Sequence, residues 1–168
     1  SVKAEHAEEW IPIIQEVAPT LKKLTLSSVN MNKKQFNQIL QALQKYNQLY
    51  HLDVALNRVG LENMHYLTNL ETLSVRSNLL HSLIGIESLI NLKKLEFDNN
   101  NLLNVNDELQ KLVKLEELSF WSNKLINVAG LNTLIHLKKL DLRTNQITSV
   151  KELSFNVRLE ELLLSKNK

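Results

Sequence analysis

Leu159-Glu160-Glu161-Leu162-Leu163-Leu164-Ser165-Lys166-Asn167 is the last of seven copies of one phrase: leucine, two residues, leucine, one residue, an apolar residue, two residues, asparagine. The first copy opens Leu21-Lys22-Lys23-Leu24-Thr25-Leu26, and the others begin at Leu49, Leu70, Leu92, Leu115 and Leu137. Successive starts are separated by 28, 21, 22, 23, 22 and 22 residues. Each copy is too short to bury its own apolar residues, so the copies must stack side by side into a solenoid.

Within a copy, alternation such as Leu95-Glu96-Phe97 or Leu140-Asp141-Leu142 has the period of a strand. Its apolar residues point inward and its polar residues outward. Neighbouring copies then pair as one parallel sheet on the concave side of the stack. Asparagine recurs at Asn57, Asn78, Asn100, Asn123, Asn145 and Asn167, while the first copy has Val29 there with Asn30 beside it. Where the chain leaves the strand and turns, a side-chain amide can satisfy backbone groups that would otherwise be buried unpaired. The asparagines are therefore expected to form a structural ladder.

The four recurring positions and the spacing, within the range of about 20–29 residues, resemble those of leucine-rich repeats. From Leu70 onward the short copies, such as the run from Leu125 through Asn127, Gly130 and Leu134 to Leu137, resemble the 22-residue repeats of the nuclear regulatory subunit of type 1 protein phosphatase. Bacterial internalins use repeats of this length too, but the proline often found in their returning segment is missing from these copies. The longer first copy resembles the ribonuclease-inhibitor subclass, whose convex side is helical. Phe36, Ile39, Leu40 and Leu43 fall on one helical face, and Asn32 is placed to cap the first turn.

The expected fold is thus an α/β solenoid, a leucine-rich-repeat horseshoe with a concave parallel sheet. Its convex side is helical near the N terminus and shorter, irregular or 3-10, further on. Residues 1–168 are read as one domain. Residues 1–20 form either an N-terminal cap or part of a truncated preceding repeat, with Trp10, Ile13, Ile14 and Val17 on one face and Pro19 ending the helix. No returning segment follows Asn167, so Leu162 and Leu164 are expected to be exposed at an edge that further sequence or another chain covers.

The 20 basic and 18 acidic residues leave a net charge of +2, which gives no chain-wide field for capturing nucleic-acid phosphates. No transmembrane run or signal peptide is visible. The chain has no cysteine, which favours a reducing, cytoplasmic compartment; an effector delivered into a host cytosol and a bacterial surface protein are the alternatives. Glycine-rich phosphate loops, cysteine nucleophiles and paired-histidine metal motifs are lacking, so no cofactor, metal or catalytic residue is assigned. His51, Asp53 and Ser74 share the concave face, but nothing supplies an oxyanion hole or an enclosing pocket.

Concave columns follow from the alternation. Lys94, Glu117, Lys139 and Glu161 alternate in sign on strands about 4.8 Å apart, which suits lateral pairing into a self-neutralising ladder. Trp121 follows Leu118-Ser119-Phe120, so an inward Phe120 sends the indole to the concave surface. An exposed indole near arginine has the composition of an interface hot spot; the competing reading lays it over Arg143 in a cation–π contact. Arg76, Asp98 and Arg143 are read as a charged rim around Trp121, with Glu96 and Asp141 beside them and Asp98 able to pair with Arg76. The resulting expectation is a non-enzymatic module binding a protein or peptide on this face, or alternatively a spacer or assembly segment of a longer protein.

Overall fold

Every copy of the repeated phrase forms one short strand. The computed structural model describes residues 7–105 and 107–168, and within them β1 (Lys23–Thr25), β2 (His51–Asp53), β3 (Thr72–Ser74), β4 (Lys94–Glu96), β5 (Glu117–Ser119), β6 (Lys139–Asp141) and β7 (Glu161–Leu163) make one sheet. The strands lie in chain order and every pair is parallel. Register is strict, with Leu24 beside Leu52, then Leu73, Leu95, Leu118, Leu140 and Leu162. The central leucines of that row are buried, together with Phe97 and Phe120, whose rings meet edge to face with centroids 5.9 Å apart. Leu162, on an edge strand, is exposed, whereas Leu164 is half-buried against the core.

The fold is the leucine-rich-repeat horseshoe, a parallel sheet backed by a convex side whose form follows repeat length. Where the copy is 28 residues long there is room for α2 (Lys33–Gln44). Asn32 accepts the Gln35 amide at 3.0 Å and Gln35 returns the favour to the Asn32 amide at 3.1 Å, a complete capping box. The buried face of α2 carries Phe36, Ile39, Leu40 and Leu43, as the periodicity predicts. Later copies make the return in single turns of 3-10 helix at Met64–Tyr66, Asp107–Leu109 and Lys151–Phe155. Gly85 lies in the return between β3 and β4, which is made of turns without 3-10 helix, at φ +109°, where an added Cβ would meet the Leu61 carbonyl oxygen at 2.1 Å.

The helix expected near the N terminus is α1 (Ala7–Val17), and it packs against α2. Its buried stripe differs from the expected one. Ile14 and Ala18 are buried and Trp10 and Ile11 half-buried, whereas Ile13 and Val17 are exposed. The apolar residues cover more than half of the helix circumference, so only contact with α2 decides which of them turns inward. Residues 1–6 of the expected terminal unit lie outside the described residues. Among the described residues no helix is long and apolar enough to cross a membrane.

The asparagines form the expected ladder. The Asn100 amide donates to the carbonyls of Phe97 (3.0 Å) and Asp98 (3.2 Å) in its own turn and of Val75 (3.0 Å) in the preceding one. Its oxygen accepts the amides of Asn78 at 3.0 Å and Leu80 at 2.9 Å. Asn57, Asn78, Asn123, Asn145 and Asn167 repeat the pattern with the same kinds of partner. The residue before each asparagine is left-handed: Leu56, Ser77, Asn99, Ser122, Thr144 and Lys166 have φ between 52° and 61°. That conformation costs a non-glycine residue about 1 kcal/mol, and the ladder of bonds around it supplies the compensation.

Candidate functional site

The concave surface is built by alternation, and the Trp121 indole lies on it two residues beyond the end of β5. Phe120 is fully buried, so the next side chain faces water, and Trp121 is 41% exposed. Its backbone is held on both sides: the carbonyl accepts the Asn99 amide at 2.8 Å, and the amide donates to Asp98 Oδ1 at 3.0 Å. A large, half-exposed ring on a fixed backbone is poised to be covered without further ordering.

Asp98 does not sit on the rim. It is only 9% exposed, and the same Oδ1 that takes the Trp121 amide also takes the Ser119 hydroxyl. Its carboxyl is pushed above the usual aspartate range, first by burial and then by the nearby Glu96 and Asp141 carboxylates, against the opposing pull of the Ser119 and Trp121 donors. A carboxyl whose folded pKa is raised binds more protons folded than unfolded. Its contribution is therefore most favourable at low pH and is lost as pH rises through the raised value. Asp98→Asn removes that charge while keeping an acceptor oxygen. The stability advantage of the variant over the parent should grow as pH rises out of the ordinary aspartate range and level off once Asp98 is ionised, and paired urea titrations from acid to neutral pH check it; a gap independent of pH would show that Asp98 is not strained by its burial.

The basic residues find different partners from those expected. Arg76 pairs with Glu96 at 3.5 Å and not with Asp98. Arg143 grips Asp141, with Nη2 to Oδ2 at 2.5 Å and Nε to both oxygens at 3.0 Å, which raises its pKa further. The guanidinium is thus committed to Asp141, and no cation–π contact involves Trp121 among the described residues. In the sign-alternating column, Lys94 reaches Glu117 at 3.3 Å and Lys139 reaches Glu161 at 3.9 Å, but Glu117 and Lys139 form no ion pair. Lys94 leans instead on Glu96 at 3.0 Å, the first cause of its raised pKa. These pairs are solvent-exposed, each worth at most about 1 kcal/mol, and a partner can displace them cheaply.

Asp53 accepts the Ala55 amide at 2.9 Å, the Ser74 hydroxyl is buried without a partner, and no hydrogen bond joins either of them to His51. Among the described residues no group of three or more histidine, cysteine, aspartate or glutamate side chains is placed to hold a metal ion.

A shared duty of the concave aspartates was missed in the sequence. Asp53 accepts the amide two residues on at Ala55, and Asp141 does the same for Arg143 at 3.0 Å. Trp121 has Ser119 two residues before it, but the Ser119 hydroxyl is turned to donate to Asp98, and Asp98 reaches across from the previous copy to take the Trp121 amide. The aspartate-to-second-amide spacing is a recognisable turn signal. The crossing from Asp98 has no such local signature.

The parallel sheet with its asparagine ladder has the form of a leucine-rich-repeat solenoid, and Trp121 stands exposed just past the end of β5. Residues 113–155 match the family described as leucine rich repeats in two copies. No curated protein matches the chain. Among solved structures, internalin C2 of Listeria monocytogenes shares the fold at a TM-score of 0.83, with 24% identity over 92% of this chain and 65% of that one. An internalin F from the same organism gives 0.80, with 23% identity over 91% of this chain and 44% of that one. A leucine-rich-repeat protein of Leptospira interrogans gives 0.67, with 24% identity over 94% and 52%. The chain therefore spans less than two thirds of each. The proline whose absence set internalins apart is not needed for the shared backbone.

Proposed function

We propose that this chain is a non-enzymatic binding module that takes a protein or peptide onto its concave sheet, centred on Trp121 and bordered by Arg76, Glu96, Asp141 and Arg143. Asp98 works from beneath, as the acceptor that holds the Trp121 backbone. The observation that carries the reading is the indole itself: large, 41% exposed and held on a rigid strand end with no aromatic or cationic neighbour stacked on it. Such a side chain offers a large apolar contact at little ordering cost. The surrounding ion pairs contribute orientation and discrimination between partners more than affinity. The short copies from Leu70 on fit the 22-residue subclass, which describes a repeat geometry and names no partner.

The test compares the parent chain with Trp121→Ala in pull-downs from native cell extract. Partner binding should weaken by about 2 kcal/mol or more, roughly thirtyfold, while the melting temperature stays close to that of the parent. An unchanged set of captured proteins removes Trp121 from the site. A collapse in stability would mean that the indole supports the core.

A further inference from the structure

A second surface lies outside the sheet, where the returning segment enters the next strand through an x-x-leucine step, preceded by Leu89, Leu112 and Leu134 in three copies and by Asn156 in the last. The first x is Ile90, Val113, Ile135 and Val157 in four consecutive copies. The leucine directly before each of the first three, at 89, 112 and 134, is fully buried, yet Ile90 is 49%, Val113 44% and Ile135 50% exposed. Single exposed apolar residues are ordinary on protein surfaces. Branched aliphatic residues recurring at the same step of stacked copies form a continuous stripe, and contiguous apolar surface marks a contact region.

The second x gives the stripe a charged border. It reads Asn91, Lys114, His136 and Arg158. Lys114 Nζ donates to the neutral Asn91 Oδ1 at 2.6 Å, and Arg158 Nη1 donates to His136 Nδ1 at 2.8 Å. Among the described residues neither cation forms an ion pair with a carboxylate. One column further on, the charges are already matched, Lys93 with Glu71 at 3.0 Å and Lys138 with Glu116 at 2.6 Å. The border next to the apolar stripe is therefore the place on this flank where positive charge is left over.

We propose that this flank docks an acidic, apolar segment of a partner protein, which lays aliphatic or aromatic side chains on Ile90, Val113 and Ile135 and carboxylates on Lys114 and Arg158. The stripe is one residue wide and its cations stand on one side of it, which suits a polypeptide better than a flat anionic membrane. The surface is independent of the concave site and can be occupied whether or not Trp121 is.

The probe is a random-peptide phage library panned on the 168-residue chain, followed by calorimetric titration of the enriched peptides as synthetic compounds. Enriched peptides should combine aspartate or glutamate with apolar residues. Their affinity should fall about tenfold or more with Val113→Ser plus Ile135→Ser, and again with Lys114→Glu plus Arg158→Glu, but not with Trp121→Ala. The charge-reversed variant changes only exposed side chains, so it decides the matter if the serine variant melts early. The proposal is overturned if no acidic-apolar peptides are enriched, or if those enriched depend on Trp121 and ignore both flank variants. Two further results would also overturn it: flank-dependent binding to phosphatidylcholine vesicles holding about 30% phosphatidylserine without peptide binding, or self-association that the serine variant abolishes. The first would assign the stripe to a lipid surface and the second to another copy of this chain.

Discussion

Replacing Phe120 by alanine destabilises the domain by about 4 kcal/mol, the largest effect expected of any single side-chain truncation here. The ring is fully buried and packs edge to face on Phe97 of the preceding copy, so its removal forfeits both its own burial and the contact that ties two turns of the solenoid together. The turns are held on one side by the sheet and on the other by the asparagine ladder, and neither allows the cavity to close by a simple shift. Phe155→Ala is the control: that ring is 62% exposed, and its loss should cost under about 1 kcal/mol. Urea titrations followed by far-UV circular dichroism and tryptophan fluorescence would check both. Similar midpoints for the two variants would place Phe120 outside the core, and with it reverse the outward assignment of Trp121.

Asn100→Ala follows at about 3 kcal/mol, the upper end of what unsatisfied buried groups cost. One amide group is removed, but five bonds go with it: the amides of Asn78 and Leu80 are left without an acceptor, while the carbonyls of Val75, Phe97 and Asp98 each lose one donor and keep another, from Asn78 Nδ2, Asn123 Nδ2 and the Ser77 amide. The left-handed backbone of Asn99, at φ 52°, loses its support at the same time. Asn101, one place further on, forms no side-chain hydrogen bond to another described residue, and Asn101→Ala should stay within about 0.5 kcal/mol of the parent. Equal effects at the two positions in the same titration would mean that the ladder does not carry the turn. Hydrogen exchange adds a sharper reading, since the Asn78 and Leu80 amides should lose protection before those of distant copies do.

The concave face also shows how far partner choice can diverge from position. That Trp121 faces outward follows from Phe120 facing inward. Arg76, Asp98 and Arg143 share its column, but a side chain there has several neighbours within reach on strands about 4.8 Å apart. Arg143 could cover the indole or turn to Asp141, and it takes the bidentate carboxylate. Asp98 could pair with Arg76 or accept backbone and hydroxyl donors, and it takes the donors as it is buried. The exposed alternatives differ by no more than about 1 kcal/mol, which no residue pattern can rank.

Repetition alone dictates the strand in each copy from period-two alternation, the parallel register from the constant step, the asparagine ladder and the inward sense of the leucine row, and residue pattern adds the capped helix in the longest copy. Rules that recur from copy to copy reinforce one another. Packing of the assembled stack settles the rest: Ser74, outward by alternation, is buried, and on the N-terminal helix Ile11, with Ala18 just after it, turns to the core in place of Ile13 and Val17. It also decided that Asp98 is a buried brace under Trp121, and that Ile90, Val113 and Ile135 line up in the open. Each of those outcomes depends on what a neighbouring element covers, and coverage is a property of the assembled stack, absent from any one copy of the phrase.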